Sequence, residues 1–213
     1  MSSTPGQAGR KTGPKPTFTR ENVVAAALGL GIADFTLSAV ARRIEVVTPA
    51  LYRVFPSRDA VLEACLARVA ATIQPPGDDA GWQDALRLWA DECWRMCEEL
   101  PGLARTLFSY PAAFDHIEDP LRGYVRVIES HGRSRMQAAF ALDFIGDTVM
   151  ATRLGVEMMR ATDTAGVSGL EKVRQRIGEE HLFQPDESWS GRGFMDVKVD
   201  FIVEGLERNW PEV

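Results

Sequence analysis

Cys93 and Cys97 stand four residues apart, a spacing that puts two soft thiol ligands on one helical face and could hold a metal or sense oxidation. No third or fourth ligand lies near them in sequence, so they read as small apolar residues on a core or pocket wall. His116 with Asp115, Glu118 and Asp119 invites a second metal reading. Carboxylates at a helix start suit the positive end of the helix dipole, and capping is the reading adopted. Catalysis has no better footing. G-x-S-x-G and H-E-x-x-H are absent, and A-L-G-L-G-I-A-D (27–34) follows a helical stretch where a dinucleotide loop follows a strand. No enzyme, no metal and no cofactor are therefore expected.

Binding chemistry remains. The 213 residues carry 24 Lys/Arg and 30 Asp/Glu, a net charge of −6 that by itself argues against nucleic acid. Its distribution reverses that argument. Residues 1–72 hold nine Lys/Arg against five Asp/Glu, and residues 73–213 hold fifteen against twenty-five. A basic head is joined to an acidic body. In the body, Trp89, Cys93 and Met96 fall at i, i+4 and i+7 of one helical stretch, and Phe140 and Phe144 share a face of a later one. If those faces oppose each other, these residues with Phe108 would surround a largely apolar pocket.

Helices must position both sets. Met1 to Pro16 is rich in Ser, Thr, Gly and Pro and carries Arg10, Lys11 and Lys15; residues 1–18 are expected to form a disordered basic arm. Thr19 starts a helix with Val23, Ala26, Ala27 and Leu30 on one stripe, and Thr36 starts a second that runs to Glu45. A third starts at Thr48, with Pro49 at the first helical position, and is stopped by Pro56. Ser57 caps a fourth. The breaker cluster Q-P-P-G-D-D-A-G (74–81) coincides with the change of charge and divides a head of 19–72 from a body of 82–213. The body reads as helices over about 82–99, 101–110, 117–131, 134–162, 167–178 and 194–209. No alternation of period two persists, so the fold class is all-α. No segment approaches the roughly eighteen apolar residues of a membrane span, and three cysteines suit a reducing compartment. A cytoplasmic location with no membrane partner is expected.

Only Glu45, Val46 and Val47 separate the second helix from the third, which is the grammar of a helix-turn-helix. Leu51 and Phe55 would hold the third helix to the core. Thr48, Pro49, Tyr52 and Arg53 would face outward, with small residues in front able to approach base edges closely.

The run T-L-S-A-V-A-R-R-I-E-V-V-T-P-A-L-Y-R-V-F-P-S-R-D-A-V-L from Thr36 resembles the DNA-binding signature of the tetracycline-repressor (TetR) family of transcriptional regulators, over roughly residues 19–70. The resemblance implies an N-terminal three-helix helix-turn-helix head plus a larger helical ligand-binding and dimerisation domain. It implies that Thr36 caps its helix and meets a phosphate, that Thr48, Pro49 and Ala50 face bases, and that Tyr52 and Arg58 contact phosphates. W-Q-D-A-L-R-L-W-A (82–90), P-G-L-A (101–104) and F-I-V-E-G-L-E (201–207) look like the tetracycline-repressor-type C-terminal subgroup. Two departures stand out: Glu45 where the family usually has Gly, and Val54 where it usually has His. If residue 45 needs a positive φ, the turn costs on the order of 1 kcal/mol.

The expected partners are duplex DNA, a small-molecule effector and a second copy of the chain. Segments 143–162 and 194–209 would supply the dimer seam through Phe144, Met150, Leu154 and Met158 on one and Phe194, Val197, Phe201, Ile202 and Leu206 on the other. The rival reading is a small all-α binding protein for a lipid or cofactor, without DNA binding.

Overall fold

The computed structural model describes residues 18–213, so the expected arm lies outside the described residues except for Phe18. That residue is buried in the core, and the head starts there, one position before the expected boundary. Ten α-helices follow: α1 (Arg20–Leu28), α2 (Leu37–Arg43), α3 (Thr48–Leu51), α4 (Arg58–Ala70), α5 (Trp82–Glu99), α6 (Leu103–Ser109), α7 (Glu118–Ser130), α8 (Arg135–Arg160), α9 (Gly169–Arg176) and α10 (Met195–Arg208). Short 3-10 segments lie at Pro111–His116 and Glu187–Ser190. Among the described residues the sole β feature is one isolated bridge between Thr162 and Ser168.

Local chemistry sets the boundaries in the head. The Thr19 hydroxyl accepts from the Asn22 amide, and the Asn22 side chain reaches back to the Thr19 amide, a reciprocal cap. Thr36 and Ser57 cap α2 and α4 by accepting from the Ala39 and Ala60 amides at 3.2 and 3.1 Å. Each such cap stabilises its helix by about 1 kcal/mol. α3 departs from expectation. Its cap is Val47, which makes no side-chain hydrogen bond, and Thr48 and Pro49 occupy the first turn. It is also shorter: the chain leaves α-helix after Leu51 and reaches Phe55 through turns, with the Phe55 amide on the Leu51 carbonyl at 2.9 Å.

In the body, α5 and α8 form the most extensive helix pair. Ala85, Leu86, Cys93 and Cys97 of α5 and Ala138, Ala141, Ile145 and Val149 of α8 are fully enclosed, and the small residues among them allow close approach. The apolar core is one connected cluster through head and body. Polar ties reinforce the junction. Buried Glu92 of α5 accepts from the Gln74 amide at 2.9 Å, Arg95 donates to the Thr72 carbonyl at 3.1 Å, and the Tyr124 hydroxyl of α7 donates to the Gln74 carbonyl. At the other end of the head, Arg105 pairs with Asp34 at 2.9 Å, and the Tyr110 hydroxyl donates to Glu63 at 2.8 Å. Gly102, with φ +86°, opens α6 so close to Ala33 that a Cβ there would lie 2.9 Å from the Ala33 methyl.

Candidate functional site

The turn between α2 and α3 is built on a left-handed residue. The Glu45 amide bonds the Arg42 carbonyl and the Val46 amide bonds the Ala41 carbonyl at 2.9 Å, the paired 5→2 and 6→1 bonds of a Schellman helix end. That motif needs positive φ at its pivot. Glu45 supplies it at φ 58° and is the one non-glycine residue with positive φ among the described residues. Glycine is the usual choice here because a Cβ costs about 1–2 kcal/mol in this region. Val46, next in the chain, packs against the core and turns the backbone into α3.

This turn fixes what α3 presents. Leu51 and Phe55 are anchored in the core, as their spacing predicts. Arg20 stacks on the Phe55 ring at 3.9 Å and donates to the Val54 carbonyl, fastening the back of α3 to α1. The outward side carries exposed Pro49, Tyr52 and Arg53, with Thr48 and Ala50 half-buried. Val47, in front of them, is 70% exposed. It was not singled out from the sequence; the fact that decides its orientation is the left-handed pivot two residues earlier. Thr36 is exposed and spends its hydroxyl on capping α2.

Arg58, expected to meet a phosphate, is half-buried and spends two of its nitrogens within the head. Its Nε donates to the Phe35 carbonyl and its Nη2 to the Ala33 carbonyl, both at 3.1 Å, and its guanidinium lies 4.5 Å above the Phe35 ring. These bonds tie the start of α4 to the loop that launches α2. Among the described residues, its donors hold the head together.

The six expected pocket residues are not brought together. Trp89, Cys93 and Met96 share the inner face of α5 and are core residues. The Trp89 indole N–H donates to the Leu142 carbonyl at 2.9 Å, and its ring meets Tyr124 edge-on at 5.6 Å. Phe140 and Phe144 sit on the opposite, outer side of α8, 5.8 Å apart, and Phe108 is exposed on α6. The premise that the faces of α5 and α8 bearing these residues oppose each other is therefore corrected. The large rings of α8 point away because small Ala138 and Ala141 and medium Ile145 fill the α5 side. Phe140 and Phe144 instead line a groove of about 270 Å³ with Phe201, Ile202, Gly205, Leu206, Asn209 and Pro211.

The proposed dimer faces divide in the same way. Phe144, Met158, Phe194, Val197 and Phe201 are exposed, with Phe201 at 77%. Met150, Ile202 and Leu206 are buried in the monomer, Leu206 at 5%, so these three belong to the core of one copy.

Two charged residues that sequence spacing did not reveal are enclosed in the body. Arg153 of α8, 1% exposed, donates to the Cys97 carbonyl at 3.0 Å, pairs with Glu98 and lies 4.7 Å over the Trp94 ring. Burial opposes ionisation of Glu92, but the Arg95 and Gln74 hydrogen bonds outweigh it and hold its carboxyl below the usual range. Burial pushes the thiols of Cys65 and Cys97 up to about 11 and about 12 and that of Cys93 well above its ordinary value, so all three are protonated at neutral pH. No cluster of three or more His, Cys, Asp or Glu suited to a metal occurs among the described residues.

Residues 29–65, which span α2, the turn, α3 and the start of α4, match the sequence model described as bacterial regulatory proteins, tetR family. The chain is 28% identical over 172 residues to the HTH-type transcriptional repressor DrrR1 of Streptomyces coeruleorubidus, covering 78% of this chain; it spans 64% of that repressor's length. Its fold is similar to TetR from Acinetobacter baumannii AYE, at TM-score 0.65, 20% identity, and 90% of this chain and 98% of that one. It is likewise similar to ActR of Streptomyces coelicolor solved with actinorhodin, at TM-score 0.70, 18% identity, and 92% and 99% coverage. The tetR-family signature thus lies on α2, the turn, α3 and the start of α4, and the ten-helix chain as a whole is similar in fold to solved TetR and ActR structures.

Proposed function

We propose that the protein is a ligand-responsive DNA-binding transcriptional regulator, a repressor released from a pseudo-palindromic operator by a small, largely apolar effector. The observation that carries this reading is the outward face of α3, where Thr48, Pro49, Ala50, Tyr52 and Arg53 stand on a helix pinned from behind by Leu51 and Phe55. A short helix with small residues in front fits the major groove, and in this reading Thr36, Tyr52 and Arg53 meet phosphates beside it. Arg58 acts by positioning α2 and α3.

One such head makes few phosphate contacts and binds weakly. Two heads on a two-fold dimer, about one helical turn of DNA apart, read both half-sites. The seam in this reading is the unpartnered stripe of Phe140, Phe144 and Met158 on α8 with Phe194, Val197 and Phe201 on α10. Burying it contributes roughly 25 cal/mol per Å² of apolar area. The effector is assigned to the inner face of α5, where Trp89, Cys93 and Met96 lie; the Trp89 indole N–H is already given to the Leu142 carbonyl, so these residues offer it apolar contact. Support comes from DrrR1, named a transcriptional repressor, and from ActR, whose solved complex contains actinorhodin. Release follows from differential affinity of the effector for two body shapes, only one of which spaces the heads correctly.

Electrophoretic retardation of a fragment pool from the source genome by ligand-free protein tests the reading. Retention of a few fragments that share an inverted repeat supports it; no retained fragment at low salt overturns it.

A further inference from the structure

The start of α3 breaks a rule that the rest of the head follows. α1, α2 and α4 each begin on a side-chain oxygen, from Thr19, Thr36 and Ser57. α3 begins on Val47, whose side chain has no atom to offer the free amides of the first turn, and valine is among the poorest residues for that position. It is also an apolar residue left 70% exposed. The position thus gives up a cap and a buried contact together. Departures of this kind concentrate where function requires them.

What the residue sits beside indicates the requirement. From Val47 through Leu51 the chain reads V-T-P-A-L, so the front of the helix presents hydrocarbon and a single hydroxyl, with no amide, carboxylate or guanidinium before Arg53. Pro49 is exposed next to Val47. In the major groove, guanine, adenine and cytosine present hydrogen-bonding groups alone, whereas thymine adds a C5-methyl group. An apolar front gains by covering that methyl. Against the cytosine amino group or the guanine acceptors it would strip water and return no hydrogen bond, which is selection by exclusion as well as by attraction.

Resting on the reading that α3 enters the major groove, we infer that Val47, together with Pro49 and Ala50, selects the operator by packing on thymine C5-methyl groups in each half-site. One covered methyl corresponds to about a fourfold difference in affinity.

The test uses the full chain and a fragment it retains in the genomic retardation assay. Thymidines of each half-site are replaced one at a time by deoxyuridine, which deletes the methyl and keeps the base pair, and dissociation constants are compared for wild type, Val47→Ser and Val47→Ala. The inference expects about fourfold weaker wild-type binding at one or two positions per half-site, and in both variants a loss that is abolished or clearly reduced at the position Val47 covers. Val47→Ser, which supplies the missing cap oxygen, should melt no lower than wild type while losing this discrimination. An unchanged wild-type affinity at every thymidine overturns the inference and leaves the DNA-binding reading intact. An equal loss in wild type and both variants removes Val47 from the contact and overturns it too. Failure to retain any fragment overturns both readings, and it is recognised before any base is replaced.

Discussion

Replacing Glu45 tests the turn that aims the recognition helix. At φ 58° its Cβ costs about 1–2 kcal/mol, and a glycine there recovers this while adding about 0.5–1 kcal/mol of backbone entropy to the unfolded chain. Glu45→Gly should therefore stabilise the protein by about 1 kcal/mol, or about 3 °C in melting temperature for a chain of this length. The substitution also deletes an exposed carboxylate beside the DNA-facing surface, worth about 0.2 kcal/mol, or roughly 1.4-fold in affinity, for a phosphate at a separation near the Debye length. Glu45→Gln separates the two effects, because it removes the charge and keeps the strain. Thermal denaturation and operator titration of both variants are the assays. Glycine should raise melting temperature and affinity, and glutamine affinity alone. Equal melting shifts for the two variants, or none for glycine, would refute the argument that backbone strain is stored at this turn.

Further substitutions probe the other corrected positions. Arg58→Ala removes two hydrogen bonds to backbone carbonyls and a ring contact, so it should cost about 1.5–3 kcal/mol and lower the melting temperature. Operator affinity measured well below that temperature should change less than threefold; an unchanged melting point with uniformly weakened DNA binding would return Arg58 to the phosphates. Phe201→Glu should leave a folded monomer, because the side chain is exposed in one copy, whereas Leu206→Glu should unfold the body by several kcal/mol; sedimentation and circular dichroism distinguish the two. Glu92→Gln should cost about 1.5–3 kcal/mol at neutral pH, since its partners lose the negative charge. The Glu92 carboxyl is held below its ordinary pKa, so the stability it contributes is present above the unfolded value and is lost as pH falls through the folded one. The gap between wild type and Glu92→Gln in denaturant melts should accordingly close with acidification and stay constant between pH 6 and 8.

Helix positions were legible because apolar residues recur at three and four and because breakers mark the ends. The α5 stretch 82–99 was readable to its first and last residues for that reason. Cap chemistry was legible where an oxygen does the capping, at Thr19, Thr36 and Ser57. It was not at α3, where Thr48 looks like the cap but the Schellman end of α2 shifts the helix start to Val47. The rotational setting of a helix was the harder quantity. Leu206 and Phe201 are both apolar and five apart, and periodicity alone does not say which looks inward. The same ambiguity hid the two faces of α8: its large rings read as pocket walls, while its alanines turned out to make the close contact with α5. Arg58 and Glu92 were hidden because their partners are backbone groups, at Ala33, Phe35 and Gln74, which have no sequence signature.

The most direct test of the account is an equilibrium titration of a retained operator fragment, with a scrambled duplex of equal length beside it, over a series of salt concentrations. The account predicts two protomers per operator, tighter binding to the operator than to the scrambled duplex, and affinity that falls linearly in log–log form as salt rises, with a slope set by the phosphates neutralised. Equal affinity for both duplexes, or binding indifferent to salt, would contradict it.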